Sequence, residues 1–176
     1  MHQRLTLIAV LLGIAPLTAQ AIPFSQHGTI SQRVGITDIT VEYSRPTARG
    51  RTLFPDVVAW GRIWTPGADS ATRITFSRDV MIDGEALAAG SYSIWLIPTE
   101  DTAWPVIFSR ASHVYHQPYP GEAEDALRLS VEPTTGDDTD TLTLDFPWVR
   151  PDHAILRIHW GTTAVSLRID APLPGS

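Results

Sequence analysis

The chain contains neither cysteine nor lysine. Without cysteine it has no disulfide framework, and no cysteine stands beside residue 21 to carry a lipid anchor. All 13 basic residues are arginine, and 19 acidic residues leave a net charge of −6. Nucleic acids and anionic membranes select basic surfaces, so this balance predicts that the protein binds neither of them.

Long hydrophobic runs are missing except near the start of the chain. Residues 5–14 form an apolar run that follows a basic start and precedes Pro16 and a small-residue motif ending at Ala21. This order predicts a cleavable signal peptide over residues 1–21. The run is shorter than the roughly 20 residues of a membrane helix, so we expect no membrane insertion. We expect a periplasmic or secreted protein with one domain over residues 22–176, which is long enough to bury its own core.

Helical periodicity is also nearly absent, and apolar residues instead alternate with polar ones in short runs. These runs predict strands over residues 29–34, 39–43, 72–76, 80–82, 91–98, 104–109, 127–131, 142–146, 154–160 and 163–169. Asp83-Gly84 predicts a hairpin turn, Gly161-Thr162 predicts a turn between the last two strands, and residues 136–140 predict an acidic loop. We therefore expect an all-β fold, an antiparallel β-sandwich or jelly roll of about nine or ten strands with two long loops.

Two segments interrupt the alternation and predict the long loops, namely residues 43–69 and residues 110–125. Proline recurs in both segments and disfavours long regular elements. Between residues 43 and 62 the first segment holds four arginines against one acid, Asp56. A local excess of positive charge in an acidic chain needs a partner inside or outside the fold, and long ordered loops often carry function.

The arginines of the first loop predict an anion site. Arg45, Arg49 and Arg51 could form a multidentate clamp for a carboxylate, phosphate or sulfate group, because guanidinium groups match those anions in geometry. The alternative is structural, in that the same side chains hold the loop in place. They would then bond free carbonyl groups and the nearby carboxylates of Glu42, Asp56 and Asp69.

Three tryptophans raise a similar choice between a ligand and the core. Trp60 and Trp64 stand four residues apart beside the arginines, where they could stack on a ligand or on the guanidinium groups. The alternative is that both cap the hydrophobic core. Trp95 falls on the face of its strand opposite to the predicted core, where it either stacks on a sugar ring or is covered by a long loop.

The sequence offers little for catalysis or metal binding. His113 and His116, with His153 and His159 later in the chain, raise the possibility of a metal site, but no acid is convincingly placed as a further ligand. Residues 136–140 lack the pattern of a calcium loop. No nucleophile elbow, phosphate-binding loop or dinucleotide fingerprint occurs. We therefore predict no metal, no cofactor and no catalytic residue.

Several stretches carry a resemblance to a known family. These are VEYSRPTARGRTLF, WTPGADSATRITFS, AAGSYSIWLIP and ILRIHWGTTAVSL. Together they resemble the secreted bacterial family of domain of unknown function (DUF) 2911, over about residues 31–169. The resemblance implies a secreted, single-domain, mainly β protein with no established activity. The chain departs from the family pattern after Trp64, where an arginine is missing and Asp69 replaces an amide, so an anion site there is expected to be weaker or differently balanced in charge.

We predict that the protein is a non-catalytic binding module for an anionic small molecule or an acidic glycan. Two alternatives stay open: a hydrolase using His113, His116 or His159 with or without a metal, and a structural or assembly protein of the cell envelope. The outcome depends on whether the two long loops meet at one end of the sandwich. The predicted ligand-binding residues are Arg45, Arg49, Arg51, Trp60, Trp64 and Asp69.

Overall fold

The structure is a computed structural model that describes residues 24–173, and the predicted signal peptide lies outside the described residues. Within them the chain forms ten strands. In chain order they are β1 (Gln26–Val34), β2 (Thr37–Arg45), β3 (Arg73–Phe76), β4 (Val80–Ile82), β5 (Glu85–Leu87), β6 (Gly90–Leu96), β7 (Trp104–Ser109), β8 (Asp125–Val131), β9 (Thr134–Val149) and β10 (His153–Asp170).

The strands form two antiparallel sheets. The larger sheet has the order β1-β2-β3-β6-β7-β8, and the smaller sheet has the order β5-β4-β10-β9. Alternate side chains of each sheet are buried in one shared core, with Val41 and Ile94 from the larger sheet and Leu144 and Leu156 from the smaller one. This two-layer arrangement follows from the period-two alternation of apolar residues. The predicted all-β sandwich is confirmed.

Helical structure is limited to two short pieces within residues 24–173. One is an irregular turn at Leu53–Val57 in the first long loop, and the other is a 3₁₀ turn at Glu122–Glu124 in the second. None of the helices in this part of the chain has the length and apolar character needed to cross a membrane.

The predicted turn at Gly161-Thr162 and the predicted loop over residues 136–140 are both wrong. β10 runs through Gly161 without turning, and β9 includes the whole acidic segment. The strands pair across shifts in register, with Gly161 opposite Thr139. Gly161 has a φ of 58°, and the buried positions of β10 change phase around it. A shift in register and a hairpin turn both reverse the phase of the alternation, so the sequence pattern could not separate them.

A second apolar cluster lies on the outer face of the larger sheet. It consists of Ala71, Trp95 and Ile107, with Val114 and Tyr119 of the second long loop packed against it. Trp95 is only 1% exposed. Of the two possibilities for Trp95, the structure therefore shows the one in which the chain covers it, and this face offers no open indole for a sugar.

Candidate functional site

The two long loops meet through main-chain pairing beside Asp69. The amide of His116 donates to the carbonyl oxygen of Asp69 at 2.9 Å, and the amide of Ala71 donates to the carbonyl of Val114 at 2.9 Å. Ser70 and Tyr115 form an isolated β-bridge between these two bonds. The loops therefore close over the same part of the sandwich, which is the arrangement that a site shared between them requires.

The space between the loops is a hollow of about 390 Å³. We call it the arginine pocket, since two guanidinium side chains line it. It brings together four of the six predicted site residues, together with a histidine from the second loop. These lining residues are Arg49, Arg51, Trp64, Asp69 and His116.

Arg51 is fixed by carbonyl groups of its own loop. Its Nε donates to the carbonyl of Ala48 at 2.8 Å, and its Nη2 donates to the carbonyl of Thr47 at 2.9 Å. The expected structural role through free carbonyls is thus present. Within the described residues, no carboxylate oxygen lies within 4.0 Å of the guanidinium nitrogens of Arg51. Its positive charge therefore has no ion-pair partner in the pocket.

Arg49 is held in a different way. Its main-chain amide donates to Oδ1 of Asp140 at 2.8 Å, in a left-handed conformation with φ of 55°. Its guanidinium group lies over the ring of Phe24, 4.1 Å from the ring centroid. In residues 24–173 no carboxylate forms an ion pair with the Arg49 side chain either. The sequence pattern did not indicate the contact with Phe24, because Phe24 lies 25 positions before Arg49, in the short segment that precedes the first strand.

Arg45 and Trp60 lie outside the arginine pocket. Arg45 reaches across to β9, where its Nε contacts the carbonyl of Leu142 and its Nη2 contacts Oγ1 of Thr143, both at 3.4 Å. Trp60 lines a neighbouring hollow of about 660 Å³, next to Phe54, which shares Arg51 and Trp160 with the arginine pocket. The predicted clamp of three arginines is therefore reduced to two, Arg49 and Arg51.

The tryptophans beside the arginines stack on other aromatic rings. Trp64 lies 6.1 Å from Trp160 with an interplanar angle of 17°, and Trp60 lies 5.1 Å from Phe54 with an angle of 12°. Both are partly buried against the main core. This arrangement matches the alternative in which Trp60 and Trp64 cap the core. The part of Trp64 that stays accessible forms one wall of the arginine pocket.

An apolar cleft of about 910 Å³ adjoins the arginine pocket. Trp64 and His116 line both of them, as do Val57, Ile63 and Gln117. The cleft is lined further by Val58, Ala59, Arg62, Trp95, Ile97 and Tyr119. Apart from Trp64 and Trp95, the apolar residues of the cleft carry no distinctive sequence signal, because each of them also has a plain role in the core or in a loop.

Two polar atoms of the apolar cleft already have partners inside the protein. Nε1 of Trp95 donates to Oγ of Ser93 at 2.8 Å. The hydroxyl of Tyr119 donates to Oδ1 of Asp125. Burial, followed by this hydrogen bond and the charge of Asp125, raises the pKa of Tyr119 to about 12. The cleft therefore keeps a neutral phenol at physiological pH.

The four histidines considered for a metal site have separate surroundings. His113 contacts the guanidinium group of Arg73 and Oγ of Ser112, and Nδ1 of His153 lies 2.8 Å from Oδ1 of Asp152. His159 is buried, and its Nε2 has no hydrogen-bond partner in the described part of the chain. Within residues 24–173, no three His, Asp or Glu side chains are grouped so that they could hold a metal ion.

Comparison with known proteins identifies a family for this chain. The family model described as "Protein of unknown function (DUF2911)" matches residues 25–169, which is most of the chain. It confirms the family resemblance carried by the sequence motifs around the first long loop. Neither the curated proteins nor the solved structures gave a match.

Proposed function

Because the chain belongs to the DUF2911 family of proteins of unknown function, its role must be argued from its own surface, and we propose that it is a non-catalytic binding module of the periplasm or the extracellular space. The arginine pocket binds the negatively charged group of an anionic small molecule or an acidic glycan. One observation carries this proposal. Arg49 and Arg51 line the same pocket, and neither of them has a carboxylate partner among the described residues.

The contacts of the two arginines favour an external anion. A guanidinium group stacked on an aromatic ring uses its flat face, so the N–H groups of Arg49 remain available at the edges of the plane. Arg51 uses one N–H of Nε and one of Nη2 for loop carbonyls, which leaves Nη1 as a donor. Guanidinium donors of this kind match the oxygens of carboxylate, phosphate and sulfate groups.

Asp69 moderates the charge of the arginine pocket. It is the one carboxylate among the lining residues, so the pocket has two positive charges and one negative charge. The local sign is still opposite to the net charge of −6 of the whole chain. We expect modest affinity that falls with ionic strength, since the pocket is open to solvent and salt screens its field.

A thermal-shift panel of carboxylates, phosphates, sulfates and acidic sugars at low and high salt tests this proposal. A ligand at 100 times its Kd stabilises the folded state by about 2.7 kcal/mol, which for a domain of this size raises Tm by about 5–10 °C. We expect such a rise for at least one class of anion at low salt and a smaller rise at high salt.

The matched variants separate the arginine pocket from the rest of the arginine-rich loop. Arg49→Gln combined with Arg51→Gln should remove the thermal shift, whereas Arg45→Gln should retain it. The Arg45 variant removes the same type of charge from the same loop but lies outside the pocket. A panel in which no anion raises Tm, or in which the double variant keeps the full shift, would overturn the proposed function.

A further inference from the structure

We infer that the ligand is an amphiphilic anion, with a charged group in the arginine pocket and an apolar body, aromatic or acyl, in the apolar cleft. This inference rests on the proposed function and narrows the class of ligand. Between the two classes left open above, it favours an organic acid with a hydrophobic body over an acidic glycan.

The arginine pocket and the apolar cleft share several walls. Trp64, Ile63 and Val57 form walls of both the arginine pocket and the apolar cleft. The pocket has a volume of about 390 Å³ and the cleft one of about 910 Å³. A ligand whose charged end sits beside Arg49 and Arg51 therefore has the cleft as the larger adjoining space for its remaining atoms.

The chemistry of the cleft walls favours an apolar ligand body. Most lining side chains are apolar, and the polar atoms of Trp95 and Tyr119 are already bonded to Ser93 and Asp125. Polar side chains remain at Arg62, His116 and Gln117, but sugar hydroxyls that face the other walls would lose water without gaining a partner, and that loss is unfavourable. An aromatic or acyl body would instead gain from leaving water.

The indole rings near the arginine pocket are partly or wholly covered. Glycan recognition commonly uses the open face of an aromatic ring, and because Trp160 covers one face of Trp64, at most the opposite face of that ring could stack on a sugar. Trp60, with one face covered by Phe54, lines neither the arginine pocket nor the cleft. Trp95 is buried and hydrogen-bonded. The aromatic rings near the arginine pocket thus act as apolar walls, which suits a hydrophobic body better than a stacked sugar ring.

Calorimetric titration of the protein with a ligand series tests the inference without any variant. The series is acetate, hexanoate, benzoate, 2-naphthoate, glucuronate and the neutral 2-naphthalenemethanol. We expect 2-naphthoate to bind at least about tenfold more tightly than acetate, since its rings leave water for the cleft. Glucuronate should bind no more tightly than acetate, and the neutral alcohol should bind more weakly than naphthoate.

One variant locates the apolar body. Ile97 lines the apolar cleft but not the arginine pocket. Ile97→Ser should weaken the binding of naphthoate by at least about threefold, because a hydroxyl replaces apolar surface in the wall. The affinity for acetate should stay unchanged. The fold of the variant is checked by circular dichroism and by its melting temperature before the titrations.

The outcomes separate the inference from the proposed function. If glucuronate binds more tightly than naphthoate, or if Ile97→Ser weakens acetate and naphthoate equally, the inference is wrong while the anion site stands. If no acid in the series or in the thermal-shift panel binds, the proposed function fails and the inference falls with it. If the neutral alcohol binds as tightly as naphthoate, the arginines contribute nothing to binding, and both the proposed function and the inference are wrong.

Discussion

The carbonyl oxygen of Asp69 accepts two hydrogen bonds from His116, one from its main-chain amide at 2.9 Å and one from its ring at 2.8 Å. A carbonyl oxygen only accepts, so Nδ1 of His116 carries the proton in this contact. Asp69 has a φ of 62°, the left-handed conformation in which asparagine and aspartate are over-represented. One residue therefore joins the two loops through its main chain and sets the charge of the arginine pocket through its side chain.

The charge of Asp69 can be removed without changing its main-chain role. Asp69→Asn keeps a residue type that tolerates left-handed φ and preserves both bonds from His116. We expect anions that bind the arginine pocket to bind about two- to threefold more tightly at low salt, because one repulsive charge is gone. Titration at low and high salt checks this, and the gain should shrink as salt is added. Unchanged or weaker affinity would show that Asp69 does not face the bound anion.

Titration of Tyr119 is expected to lower the folding stability of the protein at alkaline pH. The pKa of Tyr119 is raised to about 12 in the folded state, whereas an exposed tyrosine titrates near pH 10. The folded state therefore favours the neutral phenol, and this contribution to stability is complete below about pH 10 and is lost as pH rises toward 12. Urea denaturation at several pH values across that window measures the loss in the wild type.

The matched variant for this prediction is Tyr119→Phe. It is expected to be less stable at pH 8 by about 1 kcal/mol, because it lacks the hydrogen bond to Asp125. The difference in unfolding free energy between wild type and variant should narrow between about pH 10 and pH 12, since only the wild type has the phenol proton to lose. If the difference in unfolding free energy stays constant between about pH 10 and pH 12, the pKa of Tyr119 is not raised by folding.

Two separate features disfavour a side chain at position 161. Gly161 has a φ of 58°, and a Cβ added there would lie 2.8 Å from Cδ1 of Leu53, beneath the first long loop. Gly50 has a φ of 71° but no atom within 4 Å of an added Cβ, so it serves as the control. Gly50→Ala should cost about 1 kcal/mol from backbone strain alone.

Gly161→Ala should then cost at least about 1 kcal/mol more than Gly50→Ala, because it adds an overlap with Leu53 to the strain. Chemical denaturation of both variants provides the comparison. Equal losses of stability would mean that Leu53 moves aside freely, and the first loop would then be less firmly packed than its contacts indicate.

Local patterns in the sequence were sufficient to predict the fold class and most of the strands, but they missed β5 and the first half of β9. Alternation of apolar and polar residues identified β2, β6 and β7 because each is a short strand with one face in the core. The same pattern failed at Gly161, where a register shift within one long strand mimicked a turn. The family resemblance, which was carried by motifs rather than periodicity, was confirmed over residues 25–169.

The composition of the site could be predicted only in part. Clustering in sequence pointed to Arg49, Arg51, Trp64 and Asp69, which do line one pocket. Clustering in sequence also pointed to Arg45, which lies outside the pocket. Arg45 is the last residue of β2, so the sheet sets the direction of its side chain, which contacts β9. The contributions of His116 and of the apolar cleft depend on pairing between distant segments, and no periodicity within one segment encodes that pairing.

The two hydrogen bonds from Arg51 to main-chain carbonyls affect the entropic cost of binding an anion. A free arginine side chain loses much of its rotational freedom when it grips a ligand, and this loss weakens binding. Arg51 has already lost that freedom on folding, because Ala48 and Thr47 hold its guanidinium group in one orientation. Under the proposed function, an anion therefore meets a donor that folding has already placed, because the loop that carries Arg51 also holds its guanidinium group.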